Sequence, residues 1–414
     1  MRLTLINQFY IPDISPTAHL CASLAEHRAG RGDEVTVLTS GTGYVAPIGG
    51  ATDDRNVRVR RLWATGFDNQ RNLGRLLNWG TFYLRAIAAA AALPRQDVII
   101  AMTTPPFVVI AGIIHKLLHP SVKLILWNMD CYPEVLERSG MARPGGWMGR
   151  FLRALNRAIF RRLEHLICLD RGMTDLLLSQ YAPQGRRLAH SIIPNWERAD
   201  LFPADADAAT SPNNNPMPDE LRGRFVVLYL GNAGHGHEFQ TLMDAAELVR
   251  DEPVTFLFVG GGALRPWIEQ QANERHLPNI MLHDYIPKQQ TPALMRSVGC
   301  ALITLQDSML GVMSPSKLHA NLAMGLPVIY VGPRGSNVDE AIARYGCGAS
   351  LRPGEAGAMA AFIREITSNP AKLAELRFKA RQAFEQAYCD AKTLPAFDAI
   401  LDALAVAGVR HHRA

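Results

Sequence analysis

The chain has 414 residues, of which 48% are hydrophobic and 20% charged, with 43 Lys+Arg against 38 Asp+Glu for a formal net charge of +5. That composition excludes collagen-like, low-complexity and disordered chains and allows two domains of ordinary size. Six scattered cysteines (21, 131, 168, 300, 347, 389), with no Cys-x-x-Cys and no Cys/His cluster, argue against structural zinc and a disulfide framework and fit a reducing compartment. No run of about 18 apolar residues predicts a membrane-spanning helix. The charge is uneven: residues 1–200 hold 24 Lys+Arg against 16 Asp+Glu (+8), and the remainder 19 against 22 (−3). A basic first half suits an anionic membrane surface, an anionic substrate or nucleic acid.

Taken in order, residues 2–8 read as a buried strand that turns polar too soon for a signal peptide. A loop runs from Asn7 to Thr17, a helix over 19–29 ends at Gly30 and Gly32, and a strand follows at 34–39. This strand–loop–helix–strand unit implies a parallel pair with a right-handed crossover. It repeats with strands at 57–62, 98–102, 124–127, 166–169 and 189–193 and a helix over 73–92, polar at its start and alanine-rich later. Residues 200–223, rich in Ala, Asp, Pro and Asn, read as a linker. A second series has strands at 226–230, 255–259, 280–282, 300–304 and 328–331, closed by helices near 355–368, 371–388 and 391–407. The expected fold is therefore α/β, with two Rossmann-like doubly wound domains facing across a cleft: 1–199, then 224–390 after the linker, and a C-terminal helix over 391–414 that could cross back to the first domain.

Five features carry chemistry. Asp130, at a strand end beside Trp127, Tyr132, Pro133 and Glu134, could orient or deprotonate an acceptor hydroxyl, or simply cap a turn; Glu134 shares the ambiguity. Over 147–166, Arg150, Arg153, Arg157 and Arg161 form one stripe and Met148, Leu152, Leu155, Ile159, Leu163 and Leu166 another, with Trp147, Phe151 and Phe160 flanking. Such a helix suits an anionic membrane, or a core-facing helix with a solvated arginine face. No recognition motif accompanies the arginines, so nucleic acid is not the expected partner.

The run Gly231-Asn232-Ala233-Gly234-His235-Gly236-His237 follows a strand and opens a helix, placing free N–H donors near a phosphate. His237 is either a diphosphate donor or an ordinary helix-start residue. Gly260-Gly261-Gly262 is a second permissive turn. The stretch 309–332 holds Met313-Ser314-Pro315-Ser316-Lys317. Ser314 suits an N-cap, Pro315 the first helical position and Gly325 the residue past the end, so Lys317 would stand at an anion-attracting helix start, or on an ordinary βα loop.

In order, Asn7-Gln8-Phe9-Tyr10 through Pro16-Thr17-Ala18, Thr104-Pro105-Pro106, Trp127 to Glu134, Ile193-Pro194-Asn195-Trp196, Tyr229-Leu230-Gly231-Asn232, Phe258 to Gly262 and Pro315-Ser316-Lys317-Leu318 resemble segments of family 4 retaining glycosyltransferases of the GT-B architecture. The nearest likeness is to the branch that builds bacterial exopolysaccharide, O-antigen and colanic acid. The resemblance implies transfer of a sugar, with retention, from a nucleotide diphosphate sugar, UDP-linked, to a polyprenyl-diphosphate-linked saccharide at the inner face of the cytoplasmic membrane. It requires no metal and no other cofactor.

It implies these roles: Asp130 and Glu134 in catalysis; Gly231, Asn232, Gly234, His237, Ser316 and Lys317 on the donor diphosphate; Met313, Ser314 and Pro315 on the sugar. Gly261, Gly262, Tyr285 and Ile286 would meet base and ribose, Ser15, Pro16 and Thr17 the acceptor, and Trp147, Arg150, Arg153, Arg157 and Arg161 the membrane. Two glutamates carried by many members are replaced here by Val312 and Ala320. That departure keeps a degenerate nucleotide-binding scaffold and a UDP-sugar epimerase as alternatives.

Overall fold

The computed structural model describes residues 1–13, 15–43, 56–67, 72–202 and 217–411. The chain divides into two compact units: 1–137, 142–194 and 393–414 form the first, and 138–141 with 195–392 the second. The expected linker falls largely on 203–216, outside the described residues. Its end, 217–223, carries a short turn whose Leu221 is buried in the core of unit 2.

Unit 1 contains β1 (Arg2–Ile6), α1 (Pro16–Gly30), β2 (Glu34–Ser40), β3 (Val57–Leu62), α2 (Asn72–Ala91), β4 (Val98–Ala101), α3 (Val109–Leu118) and β5 (Lys123–Trp127). It continues with α4 (Glu134–Arg138), α5 (Trp147–Phe160), β6 (His165–Cys168), α6 (Arg171–Tyr181) and β7 (Ala189–Ile192). All seven strands are parallel, in the order β3-β2-β1-β4-β5-β6-β7. The central strands β1, β4 and β5 are almost wholly apolar and buried, the pattern of a sheet covered on both faces. Strand order reverses between β1 and β4, so their carboxyl ends diverge into a crevice.

Unit 2 repeats the plan with β8 (Phe225–Leu230), α7 (Gln240–Leu248), β9 (Val254–Val259), α8 (Arg265–Glu274), β10 (Ile280–His283), α9 (Thr291–Ser297), β11 (Cys300–Thr304), α10 (Lys317–Ala323), β12 (Val328–Val331) and α11 (Asn337–Tyr345). Strand β13 (Gly348–Leu351), α12 (Ala356–Ser368) and α13 (Pro370–Ala383) complete it. The order is β10-β9-β8-β11-β12-β13, again all parallel, with its reversal between β8 and β11. Strand β13 was not expected from the sequence. Its Gly-Ala-Ser-Leu is short and half-polar, because it lies at the sheet edge.

Two expected helices change their bounds. The arginine helix stops at Phe160 rather than 166. Leu166 belongs to β6, Phe160 is a core residue rather than a flank, and Leu163, expected in the apolar stripe of the helix, is buried beyond its end. Helix α10 starts at Lys317, not at Pro315; Ser316 holds the cap position with no side-chain cap bond. Gly325 does follow the helix end, in the left-handed region at φ 64°.

The last helix, α14 (Asp390–His411), returns to unit 1 from Thr393 onward. Phe397 lies edge-on to Trp127 with centroids 4.7 Å apart. The guanidinium of Arg28, 3% exposed, donates to Asp33 (2.7 Å), Asp398 (2.7 Å) and Asp402 (3.2 Å), while His27 Nε2 meets Asp398 at 2.9 Å. Burial alone would raise the Asp398 carboxyl, but hydrogen bonds from His27 and Arg28 hold it below the usual range. A depressed carboxylate contributes stability above its unfolded pKa and loses it as pH falls through the folded value. Asp398→Ala leaves Arg28 buried with less compensation. We expect a loss of about 3 kcal/mol in urea unfolding at pH 7, shrinking toward pH 3 as the wild-type carboxylate is itself protonated.

Candidate functional site

In unit 2 the loops at the carboxyl ends of β8, β9, β10 and β11 converge on the reversal point. Gly231 N donates to Val259 O (2.8 Å), Ala233 N to Gly261 O (2.7 Å), Leu264 N to Ala233 O (2.9 Å) and Gln306 N to Gly236 O (2.8 Å). This lacing leaves no room for side chains. A Cβ on Gly260 would lie 2.4 Å from Gly231 O, and one on Gly262 2.5 Å from Ala233 N, at φ +134° and +122°. Glycine is required twice over, by backbone conformation and by close approach.

Around this nest the structure gathers most of the expected donor residues. Lys317 Cε lies 3.2 Å from the position a Cβ on Gly231 would take, and its Nζ lies 4.8 Å over the Tyr229 ring. Burial pulls the Lys317 ammonium down to about 8, and among the described residues no carboxylate pairs with it. Met313 Sδ closes on Gly236 and the Tyr285 ring on Gly261. Tyr285 is 65% exposed, whereas Ile286 packs partly into the core beneath. Asn232 is exposed, and its carbonyl accepts from Tyr229 Oη at 2.9 Å. Ser314 is half-buried and Ser316 exposed.

His237 departs from the diphosphate-donor expectation. It is 8% exposed, and its Nδ1 donates to Thr304 O at 2.8 Å. Burial, then the Lys317 charge, push it down to about 3. The neutral ring spends its proton on Thr304, so Nε2 offers a lone pair and not a donor. Nor does its loop open a helix directly: α7 begins at Gln240, and Glu238 Oε1 takes the Thr241 amide at 2.9 Å.

In unit 1, Thr103 Oγ1 accepts from the amides of Met129 (3.0 Å) and Asp130 (3.3 Å), setting the loop after β5. Asp130 faces a cavity lined by Thr103, Pro106, Asn128, Tyr132 and Asn156, and burial pushes its carboxyl up to about 6. It can thus gain or lose a proton near neutrality.

Glu134 does not share that position. It is 4% exposed, and its Oε1 accepts from Tyr181 Oη inside the unit. Ser15 stands before α1, its hydroxyl 3.0 Å from Thr17 Oγ1 and its amide donating to Asp13, and Pro16 opens the helix. On α5, Trp147, Arg150, Phe151 and Arg157 are exposed, as is Arg161 just past its end. Arg153 is not part of that face: it makes a two-pronged bond to Glu137 at 2.9 Å on both arms.

Two site residues escaped the sequence reading. Arg265 donates to Gly260 O and His283 O and pairs with Asp284 at 3.0 Å, tying the turn after β9 to the loop after β10. Asn337 Nδ2 donates to Pro315 O at 3.3 Å. Only the capping pattern Ser336-x-x-Asp339 could have drawn attention to Asn337, since Ser336 Oγ takes the Asp339 amide at 3.1 Å. No group of three or more His, Cys, Asp or Glu able to hold a metal occurs among the described residues.

Comparison with known proteins agrees with this geometry. A "Glycosyl transferase 4-like domain" family model matches residues 17–196 and a "Glycosyl transferases group 1" model residues 224–369. The chain belongs to the family 4 glycosyltransferases of the GT-B fold. It is similar to the probable glycosyltransferase WbjE of Pseudomonas aeruginosa, 26% identical over 79% of this chain and 81% of that one. It is also similar to the putative colanic acid biosynthesis glycosyl transferase WcaI of Escherichia coli, 24% identical over 78% and 82%. The crystal structure of Anabaena HepE with UDP and glucose shares the fold, with a TM-score of 0.68, 16% identity and coverage of 97% and 100%.

For this glycosyltransferase the loop nest and Asp130 give separate stability tests. Gly262→Ala forces main chain apart, so we expect a lowered melting temperature, by about 5 °C or more, in differential scanning calorimetry. A raised carboxyl pKa lowers stability as pH rises from about 4 to about 6, because the unfolded chain gives up its proton while the native carboxyl still holds one, and the loss stays constant above that. Asp130→Asn should therefore stabilise by roughly 1–2 kcal/mol at pH 8 and by nothing measurable at pH 4.

Proposed function

We propose that this glycosyltransferase moves a sugar, with retention, from a UDP-sugar to a polyprenyl-diphosphate-linked saccharide at the inner face of the cytoplasmic membrane, in bacterial surface polysaccharide synthesis. The observation that carries the donor half is Lys317, a desolvated cation with no carboxylate partner among the described residues, set against the glycine nest at the reversal point of unit 2. A desolvated ammonium set against a glycine nest gains most from a diphosphate, which restores its charge. The uridine would lie along Gly261, Gly262 and Tyr285, as Tyr285 is the exposed aromatic against that turn. The sugar would lie toward Met313, Ser314 and Pro315. HepE, of the same fold, binds UDP and glucose, and WcaI is named for colanic acid synthesis; both support the reading.

In transfer with retention the leaving phosphate takes the acceptor proton, Lys317 neutralises the charge that develops, and Asp130 orients the acceptor hydroxyl as an ionised acceptor of its hydrogen bond. No metal need bridge the phosphates in this scheme. The basic, aromatic outer face of α5 and the +8 balance of the first 200 residues suit a membrane-bound acceptor.

The deciding experiment measures UDP release from a panel of UDP- and GDP-sugars, with and without polyprenyl-diphosphate-sugar in detergent. Lipid-dependent release from one donor is the expected result. Donor hydrolysis with inversion of a centre and no lipid dependence would point to an epimerase. Tight UDP binding with no turnover would point to a scaffold, the reading that Val312 and Ala320 favour.

Two pH signatures follow. UDP affinity should weaken up to tenfold per unit above about pH 8, as Lys317 loses its proton, and Lys317→Met should abolish that dependence while weakening binding by about 10–100-fold, read by calorimetry. The rate with saturating donor should rise through about pH 6 as Asp130 ionises; Asp130→Asn should lower kcat and flatten that limb with UDP affinity unchanged.

A further inference from the structure

Helix α2 is apolar on two opposite sides. Its inward side buries Asn78, Phe82, Ala86 and Ala90 against unit 1. Its outward side carries Leu73, Leu76, Leu77 and Leu84, exposed at 71, 57, 45 and 72%. These four recur at steps of three, four and seven and form one stripe along the solvent face. A helix apolar all round belongs in an interior or against a partner.

The stripe is extended by design of the neighbouring segment. Asn78 Oδ1 takes the Phe67 amide at 3.0 Å and Asn78 Nδ2 gives to Phe67 O at 2.8 Å, while Thr65 N donates to Thr81 Oγ1 at 3.0 Å. The segment after β3 is thereby laced onto α2, and Trp63 and Phe67 stand outward beside it at 61 and 53% exposure. Six large apolar side chains thus share one surface, which is beyond what scattered exposure explains.

The charge around them selects the occupant. Of the arginines between Asn56 and Gln96, Arg58 pairs with Glu34 at 3.7 Å, Arg61 donates to Ile11 O, and Arg95 lies beside Met1 and Arg2 at the amino ends of the strands; the two shown beside the stripe are Arg75 and Arg85, both on α2 itself. Arg85 lies over the Trp63 ring at 5.8 Å and Arg75 over the Trp79 ring at 5.5 Å. Long cationic side chains folded along aromatic faces beside an apolar stripe are arranged to leave the stems in apolar surroundings and the charges among phosphates. A second protein would have to meet these two cations with acidic residues set opposite them; an anionic bilayer meets them at any orientation about its normal.

The surface also has a position relative to the site of its own unit. The start of α2 follows the carboxyl end of β3, the end of the sheet that carries the Asp130 cavity. Arg75 is near enough to Tyr132 to act on it electrostatically, and Tyr83 Oη donates to Pro106 O; Tyr132 and Pro106 both line that cavity.

We infer that the outward face of α2, with Trp63 and Phe67, docks into an anionic lipid surface and holds the Asp130 cavity at headgroup depth. Its purpose, presenting a lipid-linked acceptor, rests on the proposed function; the docking itself does not. Insertion of the six side chains places Arg75 and Arg85 at phosphate level, and a saccharide diphosphate carried by that lipid then reaches the Asp130 end of the unit 1 sheet without leaving the membrane.

The test is sedimentation of the full chain with phosphatidylglycerol/phosphatidylcholine vesicles (3:7) and with phosphatidylcholine alone. We expect binding to the anionic vesicles only, a fall of at least tenfold in partitioning for Leu73→Gln/Leu76→Gln/Leu77→Gln, and a similar fall for Trp63→Ser/Phe67→Ser. UDP affinity and thermal unfolding of both variants should match wild type, since every substituted residue is exposed. Binding undiminished in both variants overturns the inference, as does loss confined to Trp147→Ser/Phe151→Ser on α5. A wild-type dimer that becomes monomeric in the α2 variants overturns it too, by making a second copy the occupant. Vesicle binding needs neither donor nor acceptor, so it stands or falls apart from the transferase reading.

Discussion

The loop nest of unit 2 depends on one close approach. The turns after β8 and β9 run main chain against main chain, and the amide of Ala233 reaches the carbonyl of Gly261 at 2.7 Å. Two side-chain-free positions, Gly260 and Gly262, permit it. Everything else at the reversal point is arranged around that contact. Arg265 clamps the outer turn to the β10 loop, His237 fixes the inner one to β11, and Lys317 lies over Gly231 in the space left. His237 and Lys317 also divide the work electrically. The histidine stays neutral chiefly because it is buried and further because the lysine is near, and the charge is left on one ammonium.

The strands and most helices were legible in the sequence because buried parallel strands are short runs of branched apolar residues bracketed by glycine and polar loops. What failed failed for physical reasons. Strand β13 sits at an edge, with no apolar run to announce it. The arginine periodicity of α5 continues past Phe160 by coincidence, since Arg161 and Arg162 follow the helix and Leu163 and Leu166 are buried by different elements. Ser314 and Pro315 have the composition of a helix start, but the chain delays the helix to Lys317 while Asn337 holds the Pro315 carbonyl.

Site residues followed a similar rule. Motif positions defined by glycine and lysine were placed together, because backbone permissiveness and charge are properties of the residue itself. Roles that depend on a distant partner were not readable: Glu134 is taken by Tyr181, Arg153 by Glu137, and the proton of His237 by Thr304. The outward leucines of α2 were hidden because periodicity reports an apolar face without saying which way it points, and the inward side of the same helix is apolar as well.

The return of α14 has a consequence for how the protein is made. Unit 1 closes its core with Phe397 and Leu401, both fully buried, and neutralises Arg28 with carboxylates that lie about 370 residues further on. A nascent chain that has emerged only as far as β7 has the whole seven-stranded sheet but lacks the helix that covers Trp127. It must hold an unfinished hydrophobic face, and an interior arginine paired with Asp33 but not yet with Asp398 and Asp402, until the ribosome has delivered α14. The first unit begun is therefore the last completed, and translation of unit 2 happens while its predecessor is still open.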